Sequence, residues 1–288
     1  MKNGMKLLKE NKYGEILEHL HKIPYNILFA RAVLESKTSG KVFVDNIDKP
    51  KTIFISTLYG MSLLLGDTEN LEFNTSLTDY MLNTDGNRQR AEWLQVYPEK
   101  WNDKLKELLN GKIINYLKIS NEYSKSQLEI LIEKYKKSHL IQWNRVNFEY
   151  KNINKVVNLE SKYNIKLIDS HIYDRIEGTV IPKYFWKSKE DFLSYGVGYA
   201  LMEGKDIVSI AFSSWKSENK LEIGVETSVK YRCKDFATAV CVAMLDYCKT
   251  NKYLPIWACK RENIGSYMLA KSLGFEESFI LPYYEMVK

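Results

Sequence analysis

Residues 222–240, EIGVETSVKYRCKDFATAV, begin as a strand, pass through a short polar loop and continue as a helix. On the strand, Leu221, Ile223, Val225 and Thr227 fall on one face, and Glu222, Gly224, Glu226 and Ser228 on the other. From Phe236 to Cys248 apolar residues run nearly all round the helix, which predicts burial on more than one side. The first N–H groups of a helix lack internal partners and lie at the positive end of its dipole. A loop of successive N–H groups feeding that end can cradle a pyrophosphate, and Arg232 and Lys234 add charge there. The plainer reading is a strand–turn–helix with Asp235 as an ordinary N-cap.

A second stretch, 255–275, PIWACKRENIGSYMLAKSLGF, reads strand, polar turn, helix, glycine stop and phenylalanine. Upstream, Val197–Met202 and Ile207–Ser213 flank a Glu203–Asp206 turn as a hairpin. Ser188 is placed as the N-cap of a helix, with Asp191 three residues on. Lys166–Ile168 suits a strand and His171–Ile176 a helical turn, while a closing strand is expected over Phe279–Val287. The order strands, helix, strand, helix, strands is an α/β layering.

The first half is less definite. Residues 14–35 carry helical periodicity interrupted at Pro24. Strands are expected at Lys41–Asp45, Thr52–Thr57 and Gly60–Leu65, and helices at Asp103–Leu109 and Gln127–Tyr135. A helix followed by several strands occurs in both halves, so the halves read as distant copies of one architecture. We expect an N-terminal α/β domain over 1–150, lacking the pyrophosphate loop, and a second domain over 151–288.

Composition narrows the class. The 288 residues are 45% hydrophobic and 27% charged, as in an ordinary globular protein rather than a disordered, coiled-coil or collagen-like one. The longest apolar runs, such as Leu63–Leu65, are far short of a membrane span. The first ten residues are basic without an apolar core, so no secretory signal is expected. The four cysteines all lie in the last quarter, which suits reduced thiols in a cytoplasm. A net charge of +6 with no polybasic block argues against nucleic acid. His19 and His21 are two apart and cannot share a helix face, His139 and His171 are isolated, and no metal site is expected. Cys241 and Cys248 read as packing residues, and Cys259 lacks a neighbouring histidine that would make it a nucleophile.

Taken in order, these stretches resemble the GNAT superfamily of acyl-CoA N-acyltransferases. That family has an arginine/glutamine-x-x-glycine-x-glycine/alanine loop before a helix, then a strand, an asparagine, a helix and a terminal Gly-Phe. Arg232–Ala237 and Asn263–Phe275 match that order. Residues 186–199 (WKSKEDFLSYGVGY), Ile207–Ser209, Glu222–Thr227 and Pro255–Cys259 are similar to the subfamily that includes the zwittermicin A resistance proteins. The resemblance covers 165–288; over 1–150 it is only that of a degenerate GNAT-like half. It implies a mixed, mostly antiparallel, twisted sheet flanked by helices. It also implies acetyl transfer from acetyl-CoA to a primary amine of a small molecule or protein, by direct attack on the thioester. Acetyl-CoA would lie between the strand ending at Val229 and the strand Ile256–Cys259. Arg232, Cys233, Lys234, Asp235, Phe236, Ala237 and Thr238 would hold the pyrophosphate. Thr227, Ser228 and Val229 would border the thioester, with a strand N–H near Ser228 or Val229 holding its carbonyl. Asn263 and Ser266 would position the pantetheine arm.

Glu226, just before that thioester position, is the candidate base for the attacking amine; a salt-bridged strand carboxylate is the plainer alternative. Two departures from the family pattern matter. Asp235 stands where the first glycine is usual, which puts a negative charge beside the pyrophosphate, although aspartate tolerates the left-handed backbone better than most residues. Ala270 stands where many members carry a tyrosine acid; Tyr267, one turn earlier, is the candidate substitute, or else a packing residue. Both departures would also suit the alternative function, a non-catalytic acyl-CoA-binding regulatory module.

Overall fold

The structure is a computed structural model that describes residues 4–152, 155–217, 219–232 and 234–288. Its first half runs β1 (Lys6–Leu7), a 3₁₀ segment (Glu10–Leu20), α1 (Leu28–Leu34), β2 (Gly40–Val44), β3 (Thr52–Thr57), β4 (Met61–Gly66), α2 (Leu71–Met81), β5 (Trp93–Tyr97), α3 (Trp101–Leu109), β6 (Ile113–Asn115), α4 (Tyr116–Ser120), α5 (Lys125–Tyr135) and β7 (Leu140–Tyr150). The second half runs β8 (Tyr163–Leu167), α6 (Ser170–Arg175), α7 (Pro182–Phe185), α8 (Lys189–Tyr195), β9 (Gly198–Glu203), β10 (Asp206–Lys216), β11 (Lys220–Thr227), a 3₁₀ turn (Val229–Tyr231), α9 (Phe236–Thr250), β12 (Leu254–Lys260), α10 (Ile264–Ser272) and β13 (Phe275–Glu285).

Among the described residues the strands form one sheet in the order β1-β2-β3-β4-β5-β13-β7-β12-β11-β10-β9-β8, with β6 beside β7. Read from its two edges the sheet repeats itself. Three antiparallel pairings lead inward on each side (β1–β4 and β8–β11), each followed by one parallel pairing, β4 with β5 and β11 with β12. The long last strands are exchanged: β7 of the first half pairs with β12, and β13 of the second pairs with β5. The β7–β13 ladder then runs from Phe275↔Tyr150 to Glu285↔Ile141 and joins the halves. The sheet therefore continues across the 150/151 position.

One face of the second half is covered by α9 and α10, through Val240, Met244, Leu245 and Ala270 over Phe148, Trp257 and Phe275. The same face of the first half is covered by α2 and α3, through Phe73, Leu77 and Trp101 over Phe54, Leu94 and Tyr284. The opposite face carries the 3₁₀ segment, α1, α5 and α6–α8 in one continuous apolar cluster. No helix among the described residues is long and apolar enough to cross a membrane.

Several sequence expectations shift. The helical stretch expected over 14–35 is a 3₁₀ segment ending at Leu20 and a separate α1. Pro24 has no N–H to donate, and Asn26 turns its side chain to Glu222 (2.7 Å) while its backbone N–H donates to Asn147 Oδ1 (3.1 Å). α2, β5 and β7 were not anticipated. The strand expected to reach Val229 stops at Thr227, and the 3₁₀ turn follows from Val229. The closing strand starts earlier, at Phe275. Ser188 caps α8 as expected, its hydroxyl accepting from Asp191 N at 3.0 Å.

Candidate active site

β11 and β12 pair in register at only three positions, Lys220↔Leu254, Leu221↔Pro255 and Glu222↔Ile256. Beyond these the strands part, and Ile223–Val225 and Trp257–Lys260 become opposite walls of a cavity of about 390 Å³. β10 carries a bulge at the same level: the register against β11 slips between Ser213 and Trp215, leaving Ser214 as the extra residue. A bulge sharpens local twist, and the twist turns β11 away from β12. Ser214 Oγ donates to Glu222 O (3.0 Å) and anchors the strand at the vertex.

Hydrogen-bond alternation decides which β11 groups face the gap. Ser228 N–H donates to Val208 O on β10 (3.1 Å), so the donor expected near the thioester at Ser228 is already occupied. Counting back in steps of two, the Glu226 and Gly224 N–H groups also turn toward β10. Those of Val225 and Ile223 turn into the gap.

At the far end of β11, α9 begins without a side-chain cap, and Asp235 at its N-cap is left-handed (φ 56°, ψ 12°). The departure from glycine is thus accommodated in the backbone region that aspartate tolerates. The first amide groups of α9, from Phe236 to Thr238, point off a helix end flanked by Lys230, Arg232 and Lys234. Cys233 lies outside the described residues. Lys230 is paired with Asp206 (2.6 Å), and Arg232 donates to Thr227 O (3.1 Å) and to Glu226 Oε1 (3.2 Å). Thr227 Oγ1 lies 2.8 Å from Ser209 Oγ, and Val229 is exposed.

Glu226 is largely buried and fully engaged. Its Oε2 accepts from Thr179 N (3.0 Å), Thr179 Oγ1 (3.1 Å) and Val180 N (3.0 Å), while Oε1 holds Arg232. Gly178 makes this approach possible: at φ +142°, a Cβ there would sit 2.7 Å from Glu226 Cγ. Tyr267 lies on α10 with its ring edge-on to Phe148, and its hydroxyl donates to Glu277, which holds the phenol above its usual range. It is not among the residues lining the wedge. Asn263 and Ser266 are, with Asn263 Oδ1 capping α10 at Ser266 N (3.3 Å) and Ser266 Oγ accepting from Trp257 Nε1 (3.2 Å). Cys259 also lines the wall, its thiol pushed up by burial.

The wedge gathers groups to which the sequence reading gave no role. Glu222 sits at the vertex, 5% exposed, with Asn26 Nδ2 at 2.7 Å and Arg145 Nη2 at 3.5 Å. Burial raises its carboxyl above the ordinary range, against the opposing pull of Arg145 and Asn26. Arg145 on β7 and Lys260 on β12 line the same floor, and Tyr59 and Trp93 come from the first half. Tyr59 packs against Phe185 of α7 (ring centroids 4.2 Å apart, planes tilted by 32°), and burial raises its phenol to about 12. The face alternation that singled out Glu226 also carries Glu222. Arg145 was out of reach, because nothing local indicates that β7 crosses into the second half.

A sequence profile described as GNAT acetyltransferase matches residues 18–284. The chain is 26% identical over 273 residues to an uncharacterized N-acetyltransferase, YdfB, of Bacillus subtilis, covering 93% of this chain and 94% of that one. Among solved structures, a GCN5-related N-acetyltransferase-like protein from Streptococcus suis superposes with a TM-score of 0.68 at 18% identity, over 96% of this chain and 98% of that one. A tandem GNAT protein from the clavulanic acid biosynthesis pathway superposes with a TM-score of 0.54 at 9% identity, over 98% and 97%. Both likenesses are of fold.

Proposed function

Because this chain belongs to the GNAT acetyltransferase family, we propose that it moves an acetyl group from acetyl-CoA to a primary amine by direct attack on the thioester, in the wedge between β11 and β12. The observation that carries this reading is the parting of the two strands after Glu222↔Ile256, beside a helix whose first turn has no side-chain cap. The residues present fit the cosubstrate. The α9 amides with Arg232 and Lys234 would take the pyrophosphate, the β11 edge and Asn263 and Ser266 would take the pantetheine arm, and Thr227 and Val229 would border it. The Val225 N–H would donate to the acyl oxygen as negative charge grows there, a contact of the kind worth about 10²-fold in rate.

The amine must lose a proton to attack. We assign that proton to Glu222, at the vertex, whose raised carboxyl is suited to a base. Glu226, the first candidate, already has both oxygens bonded to four donors. Its role would be to hold Arg232 and the 178–180 turn. Tyr267 would act as acid only by leaving Glu277; the thiolate is a good leaving group without it. The likeness of residues 186–199 to the zwittermicin A resistance proteins makes amine-bearing antibiotics one arm of an acceptor screen. We further propose that residues 1–150 form a degenerate GNAT-like unit that walls the acceptor cavity through Tyr59 and Trp93 rather than binding a second acetyl-CoA.

Calorimetric titration with acetyl-CoA, followed by a screen of amines for CoA-thiol release, tests the reading. Micromolar binding with amine-dependent thiol release supports it. Binding without release from any amine would favour the regulatory module, and no binding at millimolar ligand would defeat both.

A further inference from the structure

The floor of the wedge holds two cations whose charge the neighbouring carboxylates meet only in part. Arg145 and Lys260 are directly opposite partners in the β7–β12 ladder, so both side chains leave the sheet on the same face. Like charges at such a pair repel, and proteins rarely bury them without a counter-ion. Arg145 is 6% exposed and lies 5.3 Å over the Tyr283 ring; among the described residues its only ion pair is the long 3.5 Å contact to Glu222, and its Nε is buried without a hydrogen-bond partner. Among the described residues Lys260 has no ion pair at all; its ammonium sits 3.6 Å over the Trp143 ring, and burial lowers its pKa. Of the carboxylates that act on Lys260, Glu285 accepts from Trp143 Nε1 (3.0 Å) and pairs with Lys136 (3.1 Å), while Glu262 attracts it without an ion pair and does not line the cavity. Both cations nonetheless line the open cavity.

We propose that Arg145 and Lys260 form a carboxylate subsite, so that the acceptor is an amine that also bears a carboxylate, an amino acid with an apolar side chain. A carboxylate is the planar anion that a guanidinium and an adjacent ammonium can share. The amine would then lie toward the Glu222 carboxylate, and the side chain against Tyr59, Trp93, Phe185 and Trp215, which line the same cavity. The assignment rests on the acetyl-transfer reading for the fate of the amine; the subsite itself rests on the incompletely paired cations.

The test uses binding, so it does not depend on turnover. The full-length protein, saturated with CoA, is titrated calorimetrically with matched pairs: tryptophan against tryptamine, and phenylalanine against phenethylamine. The carboxylate-bearing member should bind at least about tenfold more tightly, the worth of a charge-assisted pair in a desolvated site. Lys260→Met should erase that preference and Lys260→Arg should keep it, while affinity for CoA stays unchanged in both. Equal or tighter binding of the amines lacking the carboxylate overturns the proposal. So does a preference that survives Lys260→Met, or no binding of either amino acid up to about 10 mM. The titrations are repeated without CoA; should the amino acids bind there with the predicted preference while CoA itself does not bind, the subsite stands and the acetyltransferase reading falls.

Discussion

The two halves of the sheet use the same strand order and differ at one joint. In the first half β4 and β5 stay zipped through five pairs, Met61↔Trp93 to Leu65↔Tyr97, and the β3–β4 ladder beside them has no bulge. In the second half the equivalent ladder stops after three pairs, opposite the Ser214 bulge. The helix that follows differs too. α2 is capped by Asn70, which accepts from Phe73 N (3.0 Å), and its approach carries Asp67 and Glu69, with Glu69 paired to Lys104. α9 is uncapped and approached by Lys230, Arg232 and Lys234. One extra residue in a neighbouring strand and the sign of a loop thus separate the half that we propose to be structural from the half that we propose to hold acetyl-CoA.

The sharpest way to break this comparison is at the vertex. Glu222→Gln should lower turnover by about 10²-fold or more while leaving acetyl-CoA affinity intact, as measured by thiol release and calorimetry. The base is the deprotonated form, so wild-type kcat/KM should fall as pH drops through a value above the ordinary carboxylate range, and the variant should lack that limb. Stability gives an independent reading. A carboxyl whose folded pKa is raised contributes stability that is present below its unfolded pKa and lost as pH rises through the folded one. The melting temperature of the wild type should therefore decline over that window more than that of Glu222→Gln.

At the helix end the expected effects are smaller. Arg232→Ala should weaken acetyl-CoA binding about tenfold, by removing one charge-assisted contact; Glu69→Ala, on the corresponding loop of the first half, should leave it unchanged. Asp235→Gly should tighten acetyl-CoA binding a few-fold, since it removes a negative charge beside the α9 N-terminus, an effect of about 0.3–1 kcal/mol. If affinity instead falls, the Asp235 carboxylate contributes to the loop in a way that its backbone alone does not explain. Asn70→Ala should cost about 1 kcal/mol of stability in denaturant titration, through loss of the α2 cap, with no change in acetyl-CoA affinity. A loss of affinity there would mean that the first half takes part in cosubstrate binding.

What the sequence determined by itself is the local chemistry of the second half. The β11 alternation put Glu222, Gly224 and Glu226 on one face, and the loop charges and the start of α9 after Asp235 were legible, as was Asn263 at the head of α10, because each depends on residues a few positions apart; that Asp235 does not cap α9 was not. What only the tertiary structure decided depends on strand pairing over long separations. β7 residues lie 109 to 115 positions before the β12 partners they meet, Lys260 against Arg145 and Cys259 against Val146 among them. No periodicity within Leu140–Tyr150 says which strand it will join. The exchange of β7 and β13 is what brings Arg145 beneath Glu222 and opposite Lys260, and the packing of Tyr59 against Phe185 brings a wall of the cavity from each half. Backbone hydrogen bonds have the same form in every ladder, so register and partner are chosen by the burial of whole faces, a property of the assembled sheet.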